Sequence, residues 1–242
     1  MFEIRLAKYA AIIMHCIVCT GLFTSLALAG GHSSYEPVVA IDAEPRHHLV
    51  LTTSSLRVFD VSFPPAATSL WHLHDKDSVL VCLAGANVPS EEPGKELIRR
   101  PAIATGDIYY KPYGKQPFVH RIHNIDGHDF RILDIEVLTQ LQRPGKALAR
   151  PEQAWSVVLE NARVRVMKII IAAGAATSPL RLEGAHLLVT MTEGSYAIEP
   201  TGEVAQSFMS RRGDLHTGDS PQEEVIRNLG TVPIELLLIE VK

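Results

Sequence analysis

The sequence contains one unit twice. Val50–Val58 aligns with Val158–Val166, and each segment leads into a turn rich in small residues. The ends of the two copies agree as well, because Asn124 and Asn228 each stand eleven residues before an Ile-Glu-Val triplet. Two copies spaced roughly a hundred residues apart indicate two similar domains, since a solenoid needs more and shorter repeats.

Short apolar segments of strand length fill both copies. They are rich in β-branched residues and are separated by Gly, Pro, Ser and Asp, with few stretches that keep a helical period. The clearest segments are Leu56–Phe63, Ser78–Leu83, Phe130–Leu138, Val164–Ile171, His186–Met191 and Ile234–Val241. Several short strands at regular spacing favour a sandwich or a barrel, so we expect an all-β protein.

Composition excludes several classes of function. The chain of 242 residues is 46% apolar and 21% charged, as in ordinary globular proteins. Its formal net charge of −4 provides no positive field for nucleic acid, so we expect no nucleic-acid partner. Cys82 is the single cysteine beyond the first thirty residues, which rules out an internal disulfide or a Cys-rich zinc module in the predicted domains.

The N-terminus has the pattern of a secretory signal peptide. Arg5 and Lys8 precede an apolar run that ends in Ala27-Leu28-Ala29, a small-x-small cleavage pattern. We expect residues 1–29 to be removed, which predicts a periplasmic or secreted protein with no stable membrane insertion after cleavage. The alternative is an uncleaved anchor, because about twenty apolar residues also suffice to span a bilayer.

Three histidines have a spacing suited to a metal ion. His72 and His74 stand at i and i+2, so on an extended strand their side chains project from one face. A turn beginning at Gly106 leads to His120, whose imidazole can complete a facial set from a different strand. Such a set leaves positions open for water or substrate.

These residues resemble the two motifs of the cupin superfamily. The first motif reads Ala66, His72, His74, Ser78 and Gly85, and the second reads Gly106, Pro112, Gly114, His120 and Asn124. The sequence departs from the cupin pattern at three points: Ala66 replaces the usual Gly, Ser78 replaces the usual Glu, and the gap before His120 is longer by three residues.

The resemblance implies two tandem jelly-roll barrels. It predicts a metal-binding cupin domain over residues 30–144 and a degenerate cupin domain over residues 145–242. One divalent metal ion would be held by His72, His74 and His120, with Fe(II) as our choice and Zn, Mn or Ni left open. No catalytic residue is assigned.

Ser78 is the most informative departure, because serine is a poor ligand for a divalent cation at neutral pH. The remaining ligands are three neutral imidazoles, an arrangement that resembles the Glu-less cupin oxygenases, including gentisate-type and thiol dioxygenases. Either Asp77 or water is left as a replacement ligand. Asp77 faces away on a regular strand and would need a bulge to reach the metal.

The second copy lacks the histidine set. If Gly194 is the partner of Gly85, counting back places Arg181 and Glu183 at the positions of His72 and His74. If Asn228 is the partner of Asn124, Glu224 stands at the position of His120. We therefore expect no equivalent metal there. The expected remnant is a polar pocket or an Arg-carboxylate pair inside the barrel, in a copy that braces the first barrel or closes its mouth.

Other histidines are interpreted as packing or surface residues, because an isolated histidine on a strand is usually one of these. This group contains His47, His48, His123, His128, His186 and His216. His123 has the opposite strand parity to His120 and should point away from the metal.

Three functions remain open on sequence alone. The first is a metal-dependent dioxygenase that acts on a small chelating substrate. The second is an isomerase, lyase or hydrolase that uses the metal as a Lewis acid. The third is a non-catalytic cupin that binds a small ligand or carries a structural metal. Jelly-roll edges commonly pair, which favours a homodimer.

Overall fold

The structure, a computed structural model, describes residues 36–97, 101–139 and 155–242. The predicted signal peptide and the predicted boundary between residues 144 and 145 lie outside these ranges. Within them, no helix has the length and apolar character needed to cross a membrane.

The first half of the described chain is a two-sheet sandwich. One sheet has the order β2-β3-β9-β5-β7 and the other has the order β1-β4-β8-β6. The pairs in both sheets are antiparallel, except that β1 runs parallel to β4. The strands are β1 (Val39–Ala40), β2 (His47–Thr52), β3 (Leu56–Phe63), β4 (His72–His74), β5 (Ser78–Ala84), β6 (Ser90–Glu91), β7 (Ile108–Lys111), β8 (Phe118–Ile122) and β9 (Phe130–Val137), with a 3₁₀ turn at Ile41–Ala43.

The second half repeats this architecture. Its sheets have the orders β10-β11-β18-β13-β16 and β12-β17-β14-β15. The strands are β10 (Trp155–Glu160), β11 (Val164–Ile171), β12 (Leu180–Leu182), β13 (His186–Thr190), β14 (Gly194–Pro200), β15 (Gln206–Ser210), β16 (Leu215–Gly218), β17 (Gln222–Asn228) and β18 (Ile234–Val241). The expectation of an all-β protein with two tandem jelly-roll barrels is confirmed.

Alternation along the strands produces separate apolar cores. On β3, Leu56 and Val58 face a cluster shared with the second barrel, while Phe59 and Phe63 face the interior of the first. The shared cluster includes residues of β11 and β18, such as Val166. Burial of apolar area is the main stabilising term in such packing. The shared cluster therefore agrees with the first of our two expectations, that the second barrel braces the first rather than closing its mouth.

Two buried asparagines show how closely the copies agree. The Asn124 side-chain amide donates to the carbonyls of Phe63 and His128, each at 2.8 Å. The Asn228 amide makes the same pair of hydrogen bonds, to Ile171 at 3.0 Å and to Val232 at 2.8 Å. Each asparagine thus ties the end of one strand to the start of another, which fixes the register of the strands leading to the site.

Candidate metal centre

His72, His74 and His120 meet inside the first barrel. His72 and His74 lie on β4, and His120 lies on β8 directly opposite His72 in the antiparallel pair. Their ring centroids form a nearly equilateral triangle, with separations of 4.9 Å for His72–His74, 4.6 Å for His72–His120 and 5.0 Å for His74–His120. The structure therefore brings together the rings of the three residues that the spacing singled out.

The distance between two of the nitrogens suits a shared ion. His74 Nε2 lies 3.0 Å from His120 Nε2. Two imidazole nitrogens each about 2.1 Å from one metal, at right angles, would be about 3.0 Å apart. The pair can also share one proton in the absence of an ion, because one neutral ring can donate to the other.

Two of the three rings have a hydrogen-bond partner at Nδ1, and the third has a carboxylate beside it. His72 Nδ1 donates to the Leu70 carbonyl at 2.9 Å, which leaves its Nε2 with a lone pair. His120 Nδ1 is hydrogen-bonded to Ser90 Oγ at 3.1 Å. His74 Nδ1 lies 3.2 Å from Asp134 Oδ2, although the angle between them is poor for a hydrogen bond. Outer partners of this kind fix the orientation of metal-binding imidazoles.

His47 joins the cluster from outside both motifs. It opens β2, and its ring centroid lies 4.6 Å from that of His72 and 6.0 Å from that of His74. Its ligand nitrogen lies within 4.8 Å of those of His72 and His74, a grouping that can hold a metal ion. Our interpretation of His47 as a packing or surface residue therefore missed its place in this cluster.

Glu44 anchors His47 from below. Glu44 Oε2 accepts from His47 Nδ1 at 2.6 Å and from the Arg46 backbone at 2.8 Å, while Oε1 accepts from the Leu70 backbone at 3.2 Å. Burial alone would raise the pKa of Glu44, but the hydrogen bonds from His47 and the backbone lower it overall. Glu44 is thus an ionised carboxylate in the barrel, and its hydrogen bond with Nδ1 leaves Nε2 as the nitrogen of His47 that is open to a metal.

Burial keeps the imidazole of His72 neutral. Desolvation, with smaller contributions from the neighbouring His47 and His74, lowers the pKa of His72 to about 3. A neutral imidazole is the form that binds a metal. At neutral pH this ring therefore needs no deprotonation before it can coordinate.

A cavity of about 600 Å³ opens over the histidines. Its wall is mostly apolar and includes Phe118, Phe130 and Ile132, while Lys111 contributes a cationic group. Tyr113 covers one side, with its ring centroid 5.0 Å from that of His74. The volume and lining are typical of a site for a small molecule with an apolar body.

Ser78 and Asp77, the residue considered as a replacement ligand, both have other partners. Ser78 is fully buried, and its hydroxyl donates to the Lys76 carbonyl at 3.3 Å. Asp77 accepts from Tyr110 Oη at 2.8 Å and from the Gly114 backbone at 2.9 Å. Asp77 therefore holds a loop in place. His123 points away from the cluster as expected, with Nε2 2.9 Å from Glu91.

The register corrects our alignment of the second copy. Leu180 pairs with Glu224 just as His72 pairs with His120, so Leu180 and Leu182 replace His72 and His74. Our assignment of Arg181 and Glu183 to these positions was wrong, because Gly85 follows β5 whereas Gly194 opens β14. Glu224 does occupy the position of His120, as expected.

We expected a polar pocket or an Arg-carboxylate pair inside the second barrel, and the pair forms on the outside instead. Arg181 Nε lies 2.7 Å from Glu223 Oε2, and the Arg181 side chain is 77% exposed. Inside the second barrel, three polar side chains contact one another in a row. The Gln222 amide contacts His186 at 3.3 Å and donates to Glu224 at 2.7 Å. Its surroundings are aliphatic, with Leu180 and Leu182 in the core cluster of that barrel.

Comparison with known proteins supports the fold. No family model and no curated protein matches the sequence. Among solved structures, AerE from Microcystis aeruginosa has a TM-score of 0.58 at 13% identity, covering 82% of this chain and 98% of that one. Oxalate decarboxylase from Lactobacillus farciminis, as a formate complex, has a TM-score of 0.56 at 14% identity, covering 80% and 83%.

A third match is salicylate 1,2-dioxygenase from Pseudoaminobacter salicylatoxidans, in an adduct with gentisate. Its TM-score is 0.53 at 13% identity, covering 76% of this chain and 68% of that one. These matches are cupin proteins, and the likeness spans both barrels of this chain. The chain therefore has the bicupin fold.

Proposed function

We propose that the chain is an exported bicupin that holds one divalent metal ion with His72, His74 and His120 and acts as a dioxygenase on a small chelating substrate. The observation that carries the proposal is the triangle of imidazoles at the cavity, with centroid separations of 4.6 Å to 5.0 Å. Residues 30–144 form the metal-binding domain, and residues 145–242 form the degenerate domain that supports it.

The chemistry of the donor set fits such an ion. The nitrogens of His74 and His120 are already as close as two ligands of one metal, and the buried oxygens of Asp134 have no hydrogen-bond partner in the described part of the chain. Fe(II) bound to a few imidazoles would leave positions open for both O₂ and substrate and would supply the electron exchange between them.

The chain's own residues provide the binding site around that ion. The apolar wall with Phe118 and Phe130 excludes water from the body of a substrate, and Lys111 suits an anionic group at the same cavity. Tyr113 limits the entrance beside His74. A planar anionic chelator, such as an aromatic diol or a hydroxy acid, matches these features.

Oxygen consumption tests this function. The protein is loaded with Fe(II) under anaerobic conditions and mixed with aromatic diols, diketones, hydroxy acids and thiols in an oxygen electrode. We expect uptake with at least one class, loss of uptake in H120A, and normal uptake in H128A, whose side chain is exposed. An iron-loaded protein that consumes no O₂ with any of these classes contradicts the dioxygenase.

A Lewis-acid isomerase or lyase is the second candidate. It is favoured by the imidazole ligand set, because nitrogen ligands bind Ni, Cu and Zn more tightly than Fe or Mn. An exported protein meets these ions without the selection of the cytoplasm. Turnover of a substrate by the zinc form without O₂ would support this candidate.

A further inference from the structure

The proposed metal centre lacks an inner carboxylate. Ser78 occupies the position at which the cupin motif has Glu, and its hydroxyl is engaged by the Lys76 carbonyl. A divalent cation transferred from water to a buried set of neutral ligands loses its hydration without gaining a counter-charge, which is costly. The surroundings of the imidazoles therefore decide how well the ion is held.

Asp134 is one carboxylate in those surroundings. It lies on β9, is 2% exposed and lines the same cavity as the histidines. Neither of its oxygens has a hydrogen bond from the described residues, and Oδ2 lies 3.2 Å from His74 Nδ1. A buried charge with no hydrogen bond is expensive unless a positive charge stands nearby. The group next to it is the ring of His74.

Glu44 is the second carboxylate, and it is hydrogen-bonded to His47, whereas Asp134 only lies close to His74. Glu44 is 2% exposed and lies 2.6 Å from His47 Nδ1. Two of the four clustered imidazoles are thus backed by a carboxylate, while the other two are backed by the neutral Leu70 carbonyl and Ser90 hydroxyl. A carboxylate hydrogen-bonded to an imidazole, as Glu44 is to His47, fixes its tautomer and makes it a stronger ligand. Asp134 places a second carboxylate beside Nδ1 of His74.

We infer that Asp134 and Glu44 are the positioning residues of the metal centre and that, acting through His74 and His47, they supply the negative charge that Ser78 does not. This inference rests on the proposed metal site and adds His47 to its ligands. Two carboxylates balance the charge of one divalent ion. Neither needs to touch the ion, because each acts on the far side of a ring.

Glu136 provides the matched control. It stands two residues from Asp134 on β9 and is 1% exposed, but its partner is Arg57, whose Nε donates to it at 2.7 Å. Its charge is therefore already neutralised by a guanidinium. An amide at this position removes a buried carboxylate from the same strand without changing any imidazole.

The experiment compares D134N, E44Q and E136Q in the full chain. Affinity for Zn²⁺ is measured by competition with a chromogenic chelator. We expect D134N and E44Q each to weaken binding by about 10- to 100-fold, the usual effect of removing an outer partner of a ligand, and E136Q to change it by less than about threefold. Thermal unfolding with and without Zn²⁺ is recorded for each variant.

Unfolding separates a positioning role from a structural one. Without metal, D134N should unfold at the wild-type temperature or above, because it removes a buried charge with no hydrogen bond. The rise in unfolding temperature on adding Zn²⁺ should shrink. Copper-loaded D134N should keep the wild-type number of nitrogen ligands in its paramagnetic resonance spectrum.

The outcomes distinguish the inference from the function on which it rests. If the wild-type chain binds no metal, both fail. If it binds Zn²⁺ and the affinity is unchanged in D134N and E44Q, only the inference fails. Equal loss in E136Q, or a metal-free D134N that unfolds well below the wild type, would also overturn it, since either result indicates a structural role.

Discussion

Arg163 of the second barrel reaches Asp77 of the first, with Nε 3.2 Å from Oδ2. Its guanidinium also donates to the Val137 carbonyl at 2.9 Å. Asp77 in turn accepts from the backbone of Gly114, the neighbour of the Tyr113 ring that covers His74. The second barrel is thereby linked to the loop that borders the histidine cluster.

A double-mutant cycle measures this link. We expect R163A and D77N to show a coupling energy of about 1–3 kcal/mol in urea unfolding, because the Asp77 side chain is only 9% exposed. The exposed pair Arg181 and Glu223 is the control and should couple by less than about 0.5 kcal/mol. Equal coupling in the two pairs would show that the contact between barrels is no stronger than a surface pair.

We expect opposite changes in stability when Ala66 is replaced by glycine and when Gly174 is replaced by alanine. Both hold a left-handed backbone, with φ of 62° at Ala66 and 67° at Gly174. This conformation costs an alanine about 1–2 kcal/mol, which exceeds the entropic cost of a glycine there. A66G should raise the free energy of unfolding by about 0.5–1 kcal/mol and G174A should lower it by a similar amount. Calorimetry of the two variants checks the signs, and destabilisation by A66G would refute this account of the turn.

Cys82 should be inert in the native protein. It is fully buried, and burial, with a contribution from Asp107, raises the pKa of its thiol to about 11. At pH 8 only about one molecule in a thousand would carry the thiolate. The other two cysteines, Cys16 and Cys19, lie in the predicted signal peptide and are replaced by serine for this test. In the C16S/C19S variant we expect no reaction with a thiol reagent until urea is added. Rapid labelling of the folded protein would mean that this strand opens readily.

The sequence was sufficient for the fold because each copy repeats the same strands. Leu56–Phe63, Val164–Ile171 and Ile234–Val241 are strands with the expected ends. His72, His74 and His120 were found because two of them share a strand face and the third follows a motif. These features are local in the sequence, and the antiparallel pairing of β4 with β8 joins them.

His47 and Asp134 could not be placed in the same way. His47 enters the site because β2 pairs with β3 and the 3₁₀ turn before β2 contacts β4. No residue near His47 in the sequence indicates this contact. Asp134 left one signal, since it occupies an inward position on a predicted apolar strand between Ile132 and Glu136. A count anchored on Gly194 misaligned the second copy, since turns shift more readily than paired strands.

Metal content decides whether the three histidines hold an ion. Wild-type protein, H72A, H74A, H120A and the control H48A, which changes an exposed neighbour of His47, are loaded with Zn²⁺, dialysed and analysed for bound metal and for folding. We predict one ion per chain in the wild type and H48A and none in the three site variants, all of them folded. A wild-type chain without metal, or site variants that retain a full equivalent, would contradict this prediction.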